Sequence, residues 1–262
     1  MALKDISRDC TDSTKPYAEA VIASIQQSLQ ADRLNPGECV RLMYPLGKML
    51  SLLPPATILP CLHPIVAKPL EELHQLNKGL PDNNAKARLL FVLKLLTMLF
   101  TTLDIHIQDD QPESEAAVST VDSRGEKVEQ PVLVILRQCL PVYQQLCSTY
   151  NTDSEISEAV CLNLKQAVAI LQDDMRPLTQ EVLTLALACY RAAPQPAALD
   201  LSKQFFIMYG REEGMVEPLR SLLTELSNTS LTTIQAAATL SDQADLIDCF
   251  FAMLGQVRMD KA

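Results

Sequence analysis

The chain has 262 residues and is 48% hydrophobic, with only seven glycines and no tryptophan. So few glycines leave little room for phosphate-cradling loops, and the composition favours helices over sheets. A net charge of −10 and a pI near 4.8 argue against direct nucleic-acid binding and against anionic membrane surfaces, and favour basic partners.

Helical periodicity recurs along the whole chain. A first amphipathic stretch is expected over Pro16–Gln30, with Ala18, Val21, Ile25 and Leu29 on one face. In Pro36–Leu53 the apolar residues Val40, Met43, Leu46, Leu50 and Leu53 advance by three or four positions and trace one side of a helix. Pro45 falls inside that pattern and is expected to kink it. Ala56–Lys78 repeats the theme through Ile58, Leu62, Ile65, Leu70, Leu73 and Leu76, and Asn84–Leu103 forms the next helix. After a polar gap comes Pro131–Tyr150, carrying Val132, Leu136, Cys139, Tyr143, Leu146 and Tyr150. The following helix opens with Thr152 and Glu155 at capping-box spacing and lines its inner face with Val160, Leu164, Ala167 and Leu171. Pro177 suits the first turn of a sixth helix (Val182, Leu185, Cys189), and Pro196 that of a seventh (Leu199, Phe206, Tyr209). An eighth begins near Glu217–Pro218 with Leu219, Leu222 and Leu226, and the last spans about Asp242–Val257 through Ile247, Phe250, Leu254 and Val257.

Short, proline-marked connections suit antiparallel neighbours. Equivalent positions recur at 43 residues (Asp153 to Pro196), 46 (Pro196 to Asp242) and 41 (Pro177 to Pro218). HEAT and armadillo repeats have periods of ~40–47 residues. The expected fold is therefore all-α: an α-α superhelix, or HEAT-repeat solenoid, of about five helix pairs in one segment, 1–262. The exception is Asp104–Gln130, which holds eight acidic and two basic residues. It reads as a flexible acidic inter-helix loop, with Asp109, Asp110, Glu113 and Glu115 as a possible lure for basic ligands.

Chemistry-bearing motifs are missing. The eight cysteines lie mostly within apolar helical patterns, none forms C-x-x-C, and they read as reduced core thiols. His63, His74 and His106 have no partners at a ligand spacing that would hold a metal. No phosphate-loop, dinucleotide, nucleophile-elbow or zinc-protease motif occurs, so no catalytic residue, metal or cofactor is expected and the chain does not read as an enzyme. The pair Asp173–Asp174 reads as a solvated turn at a helix C-terminus, where a partner such as Arg176 or Arg137 would offset the unfavourable dipole. The longest apolar run, Leu89–Ile107, contains Lys94, Asp104 and His106, so no membrane span is expected.

The stretches "LNPGECVRLMYPLGKMLSLLP", "LFTTLDI", "SEISEAVCLNLKQAVAILQDDMRPLTQEVL" and "APQPAALDLSKQFF" resemble the middle-to-late HEAT repeats of karyopherins of the importin-β superfamily. The resemblance implies nuclear transport between cytoplasm and nucleus, with protein cargo, nucleoporins and Ran-GTP as partners. The family's principal Ran-binding surface lies in amino-terminal repeats that have no counterpart in these residues. It also implies that the second helix of each pair lines a concave, cargo-binding side. The polar residues Glu71, Glu72, Gln144, Gln145, Gln180, Glu181, Glu217 and Glu225 then become the candidate contacts for a basic cargo. A HEAT scaffold that ignores Ran is the alternative.

Overall fold

The computed structural model describes residues 2–31, 33–78, 82–103 and 129–259, which are mostly helical, with no strand among them. The expected acidic loop therefore lies outside the described residues over 104–128, and with it Asp109, Asp110, Glu113 and Glu115. No described helix is long and apolar enough to cross a membrane. The chain divides into two compact units: Met1–Leu80 with Ala87–Cys139, and Pro81–Lys86 with Leu140–Ala262.

The first unit contains α1 (Ala2–Asp9), α2 (Thr11–Thr14), α3 (Ala18–Gln30), α4 (Pro36–Leu50), α5 (Pro55–Leu76) and most of α6 (Asn83–Thr102). Both α1 and α3 pack on α4, and Lys4 Nζ sits 4.7 Å from the centre of the Tyr44 ring. The start of α4 is fixed by a reciprocal cap. Asn35 Oδ1 accepts from Glu38 N at 2.9 Å, Glu38 Oε2 accepts from Asn35 N at 2.9 Å, and Pro36 occupies the first turn. α4 continues through Pro45, and α5 contains Pro60, Pro64 and Pro69. Each internal proline removes one backbone donor. These helices persist because their apolar faces are buried: Leu46, Leu50, Ile58, Leu62 and Leu73 are fully enclosed, at roughly 1.5–3 kcal/mol per large side chain.

The ends of α4 and α6 meet closely. Ser51 Oγ shares its proton between the carbonyls of Gly47 (2.9 Å) and Thr102 (3.2 Å). A Cβ on Gly47 would overlap Thr102 Oγ1 and lie 3.0 Å from Thr102 Cβ.

The second unit holds the end of α7 (Pro131–Thr149), then α8 (Ser154–Leu171), α9 (Thr179–Ala192), α10 (Pro196–Tyr209), α11 (Val216–Ala236) and α12 (Ala244–Met259). Short 3-10 segments precede three of these: Gln172–Leu178 before α9, Glu213–Met215 before α11 and Leu240–Gln243 before α12. Packing defines two layers. α8, α10 and α12 stack on one another in sequence, and α9 stacks on α11 behind them. α7 reaches both layers, with Tyr143 Oη donating to Asn163 Oδ1 on α8 at 2.7 Å and Cys147 against Cys189 on α9. Successive members of the first layer start 42 and 48 residues apart, close to the ~40–47 expected of HEAT repeats.

Several boundaries differ from the sequence reading. The cap of α8 is Asp153, not Thr152: Asp153 Oδ1 accepts from Glu155 N (3.1 Å) and Ile156 N (3.4 Å). A carboxylate one residue later reaches the same amides and adds charge at the positive end of the helix dipole. Pro177 lies inside a 3-10 turn and α9 starts two residues later. α11 extends to Ala236, beyond its apolar stripe. α12 buries Leu246, Phe250 and Met253, so Ile247, Leu254 and Val257 are only half-buried. Gln172 has φ 46°, the one positive value outside glycine among the described residues. Its carbonyl accepts from Tyr209 Oη at 2.8 Å, a bond that helps hold this strained turn.

Gly47→Ala tests the close approach of α4 and α6. In an ordinary helix interior this change stabilises by about 0.5–1 kcal/mol. Here overpacking against buried Thr102 reverses the sign, with an expected loss of about 1–3 kcal/mol. A lower midpoint in urea or thermal denaturation is the expected readout.

Candidate functional site

The eight polar residues singled out by sequence divide between the units. Glu71 and Glu72 lie on α5 in the first. Gln144 and Gln145 lie on α7, Gln180 and Glu181 on α9, and Glu217 and Glu225 on α11, in the second. The six of the second unit thus belong to alternate helices, α7, α9 and α11, while α8, α10 and α12 form the other layer.

Their environments differ. Gln144, Gln145, Gln180 and Glu181 are exposed. Glu71 Oε1 accepts from Gln75 Nε2 at 3.0 Å, one turn along α5. Glu72 is half-buried and takes a two-pronged contact from Arg88, with Nη2 donating to Oε2 at 2.9 Å. Glu72 is thereby committed to holding α5 against α6. Glu217 pairs with Arg220 at 2.6 Å, and Glu225 accepts from Arg191 Nη2 at 2.6 Å, bridging α11 and α9. Both pairs are largely solvated, so each contributes about 0–1 kcal/mol and the carboxylates can exchange partners cheaply.

Other charged contacts bind successive helix pairs to one another. Lys165 on α8 donates to Asp200 Oδ2 on α10 at 2.8 Å, and Lys203 approaches Asp200 Oδ1 at 3.3 Å. Burial opposes ionisation of Asp200, but the Lys165 and Lys203 ammonium groups outweigh it and hold its carboxyl below the usual range. Arg176 answers the problem of the acidic pair at the end of α8. It contacts Asp173 Oδ1 at 3.3 Å and also reaches Glu212 at 2.7 Å. Arg137, the other partner considered, pairs with Glu129. At the start of α8, Lys86 Nζ lies 2.7 Å from Asp153 and 2.5 Å from Glu155. Burial pushes the Asp153 carboxyl up, yet its bonds from Lys86 and from the α8 amides leave it lowered overall.

Among the described residues no group of three His, Cys, Asp or Glu is disposed to hold a metal ion. His63 and His74 are exposed on α5. Two features escaped the sequence reading. One is a groove of about 140 Å³ in the first unit, lined by α3, α4, α5 and α6 residues including Leu29, Met43, Ile65 and Phe91. The other is a meeting of three buried thiols in the second unit. Cys147 and Cys189 bring their Sγ atoms to 2.6 Å, and Cys161 accepts from Gln195 Nε2 at 3.4 Å. Bonding to Cys189 and burial both push the Cys147 and Cys161 thiols up, whereas Cys189 is drawn down by its bonds with those two. Periodicity marks each cysteine as interior; it gives no sign that residues 42 positions apart touch.

The helix-pair architecture places the chain in the class of all-α HEAT-type repeat proteins. Residues 130–234 match the family described as the Transportin-3/Importin-13 fourth TPR domain. Over 97% of its length the chain is homologous to importin-13, at 30% identity to the chicken protein, 31% to the bovine and 30% to the human. The solved structure described as "Importin13 cytosolic state" superposes on 97% of the chain with a TM-score of 0.78 and 27% identity. The chain spans about a quarter of these relatives: 26% of each protein and 27% of the solved chain.

Structural and available carboxylates can be separated by substitution. Asp153→Ala removes the α8 cap and is expected to cost about 1 kcal/mol, with Asp153→Asn costing less because Asn also caps. Because the folded carboxyl is lowered, its stabilising share is complete above about pH 4 and is lost as pH falls through the lower folded value. The gap between wild type and Asp153→Asn in urea midpoint should therefore shrink from pH 7 to pH 3. Glu217→Gln and Glu225→Gln should each move the pH 7 midpoint by less than about 1 kcal/mol in free-energy terms.

Proposed function

We propose that this chain is part of a nuclear transport receptor that shuttles between cytoplasm and nucleus and binds basic protein cargo along one helix row, under the control of Ran-GTP. The observation that carries this reading is continuous homology to importin-13 over nearly the whole chain. The acidic balance supports it, since a net charge of −10 favours association with basic surfaces. So does the placement of Gln144, Gln145, Gln180, Glu181, Glu217 and Glu225 on alternate helices α7, α9 and α11. A partner lying along that row would touch several repeats at once, and the acidic segment with Asp109, Asp110, Glu113 and Glu115 would compete for the same cations. Nucleoporins complete the set of partners. The chain does its work by binding and is not an enzyme.

The test is capture of identified proteins from nuclear extract on the immobilised chain. Basic nuclear proteins should be enriched at 0.1 M salt and lost towards 1 M, where the Debye length falls from about 10 to about 3 Å. A Glu181→Lys, Glu217→Lys, Glu225→Lys triple variant should retain fewer of them. Ran-GTP, added to a receptor of full family length that carries this segment, should release the bound cargo. Capture that ignores salt and the triple variant would sink cargo binding at this row. Complexes indifferent to Ran-GTP would leave the scaffold reading in its place.

A further inference from the structure

We propose that Cys147 and Cys189 form a peroxide-oxidisable dithiol that closes to a disulfide joining α7 to α9. The inference stands on geometry and is independent of the transport reading. The two Sγ atoms are 2.6 Å apart, closer than unbonded sulfurs ordinarily pack and within about half an ångström of a bonded S–S pair. Each sulfur comes from the interior of a helix whose neighbours Tyr143, Leu146, Ala186 and Tyr190 are fully buried, so the pair is held in place by packing.

Access sets the order of events. Cys147 is 7% exposed, and Cys161 and Cys189 are fully enclosed. A small hydroperoxide therefore meets Cys147 first. The two sulfurs share a proton across their short contact, and when Cys189 holds it the Cys147 thiolate attacks one peroxide oxygen; the O–O bond breaks, and Cys147 becomes a sulfenic acid with loss of hydroxide, which takes up the displaced thiol proton as water. The Cys189 sulfur then attacks the sulfenic sulfur. The S–O bond breaks, the S–S bond forms, and the departing hydroxide takes the Cys189 proton as a second water. Two thiols and one hydroperoxide give one disulfide and two waters when the oxidant is hydrogen peroxide. In a reducing compartment the resting state is the dithiol, and glutathione- or thioredoxin-type thiols reverse the bond.

The bond would enclose all of α8 and span one step of the repeat. It would also tether the helices that carry Gln144, Gln145, Gln180 and Glu181, one turn from Cys147 and about two from Cys189. Oxidation would thus limit how far this part of the candidate surface can flex.

The experiment treats the folded chain with hydrogen peroxide, blocks remaining thiols with N-ethylmaleimide in denaturant, and maps peptides without reduction. A linked peptide pair containing Cys147 and Cys189 is expected, together with two fewer maleimide adducts, reversal by dithiothreitol and a higher melting midpoint. Cys147→Ser and Cys189→Ser should each abolish the link, and Cys161→Ser should keep it, in variants whose circular dichroism matches wild type. Cys147 that stops at sulfenic or sulfinic acid would overturn the proposal. So would a link from Cys147 to Cys161, or a pair that stays reduced while exposed Cys10 oxidises.

Discussion

An amphipathic helix in this protein finishes its burial only against helices belonging to the neighbouring repeat. α10 shows the requirement. It lies between α8 and α12 and buries Ala198, Leu199, Leu201, Ser202, Phe205, Phe206 and Tyr209, half of its residues, on more than one face. Ala198 and Ser202 are small, which allows a neighbouring backbone to come close, while the aromatic residues fill the wider gaps. α12 packs against α10 and α11, and there Phe251 is 61% exposed and Ile247 and Leu254 are half-buried. The same kind of sequence buries less where it has fewer neighbours, which is the behaviour of a repeat array rather than of a closed bundle.

Apolar packing alone would let such helices slide, because one leucine fills a gap much like another. Buried polar bonds fix the register. Tyr143 Oη reaches Asn163, Tyr190 Oη and Ser230 Oγ lie 2.6 Å apart, and Tyr209 Oη reaches the Gln172 carbonyl. A slip of one residue would leave each phenol unsatisfied in the core, at about 1–3 kcal/mol apiece. Surface ion pairs such as Arg191–Glu225 carry far less penalty for rearrangement. The division of labour follows: tyrosines specify the fold, and carboxylates on the outside remain negotiable.

The sequence made the buried stripes legible because a 3.6-residue period records which side faces the core. All of Val132, Leu136, Cys139, Tyr143, Leu146 and Tyr150 are buried, as are Val160, Leu164, Ala167 and Leu171. On α12 the period finds Phe250 but selects Ile247 and Leu254 where Leu246 and Met253 are the buried neighbours, because its apolar residues are nearly continuous and neighbours rather than period select the inner face. The reciprocal Asn35–Glu38 cap was overlooked although its residues stand at the right spacing. At α8, Thr152 and Asp153 compete for one role, and spacing alone does not rank them. Arg176 was foreseen as a partner for the acidic turn, whereas its second contact, Glu212, depends on how one repeat meets the next. The meeting of Cys147 with Cys189 belongs to the same class of long-range facts.

Recognition surfaces are the hardest part to read, and the reason lies in the energetics of a repeat array. An exposed carboxylate offers a basic partner about 0.2–1 kcal/mol, against about 1.4 kcal/mol for a tenfold change in affinity. One such residue changes binding by less than about fivefold and imposes little pattern on its surroundings. Specificity must come from several weak contacts held at fixed separation, and the separation is supplied by the repeat. Glu181, Glu217 and Glu225 individually are ordinary solvated side chains. On α9 and α11, Glu181 stands exposed while Glu217 and Glu225 are held by Arg220 and Arg191, and their spacing is a property of the packed helices rather than of the residues.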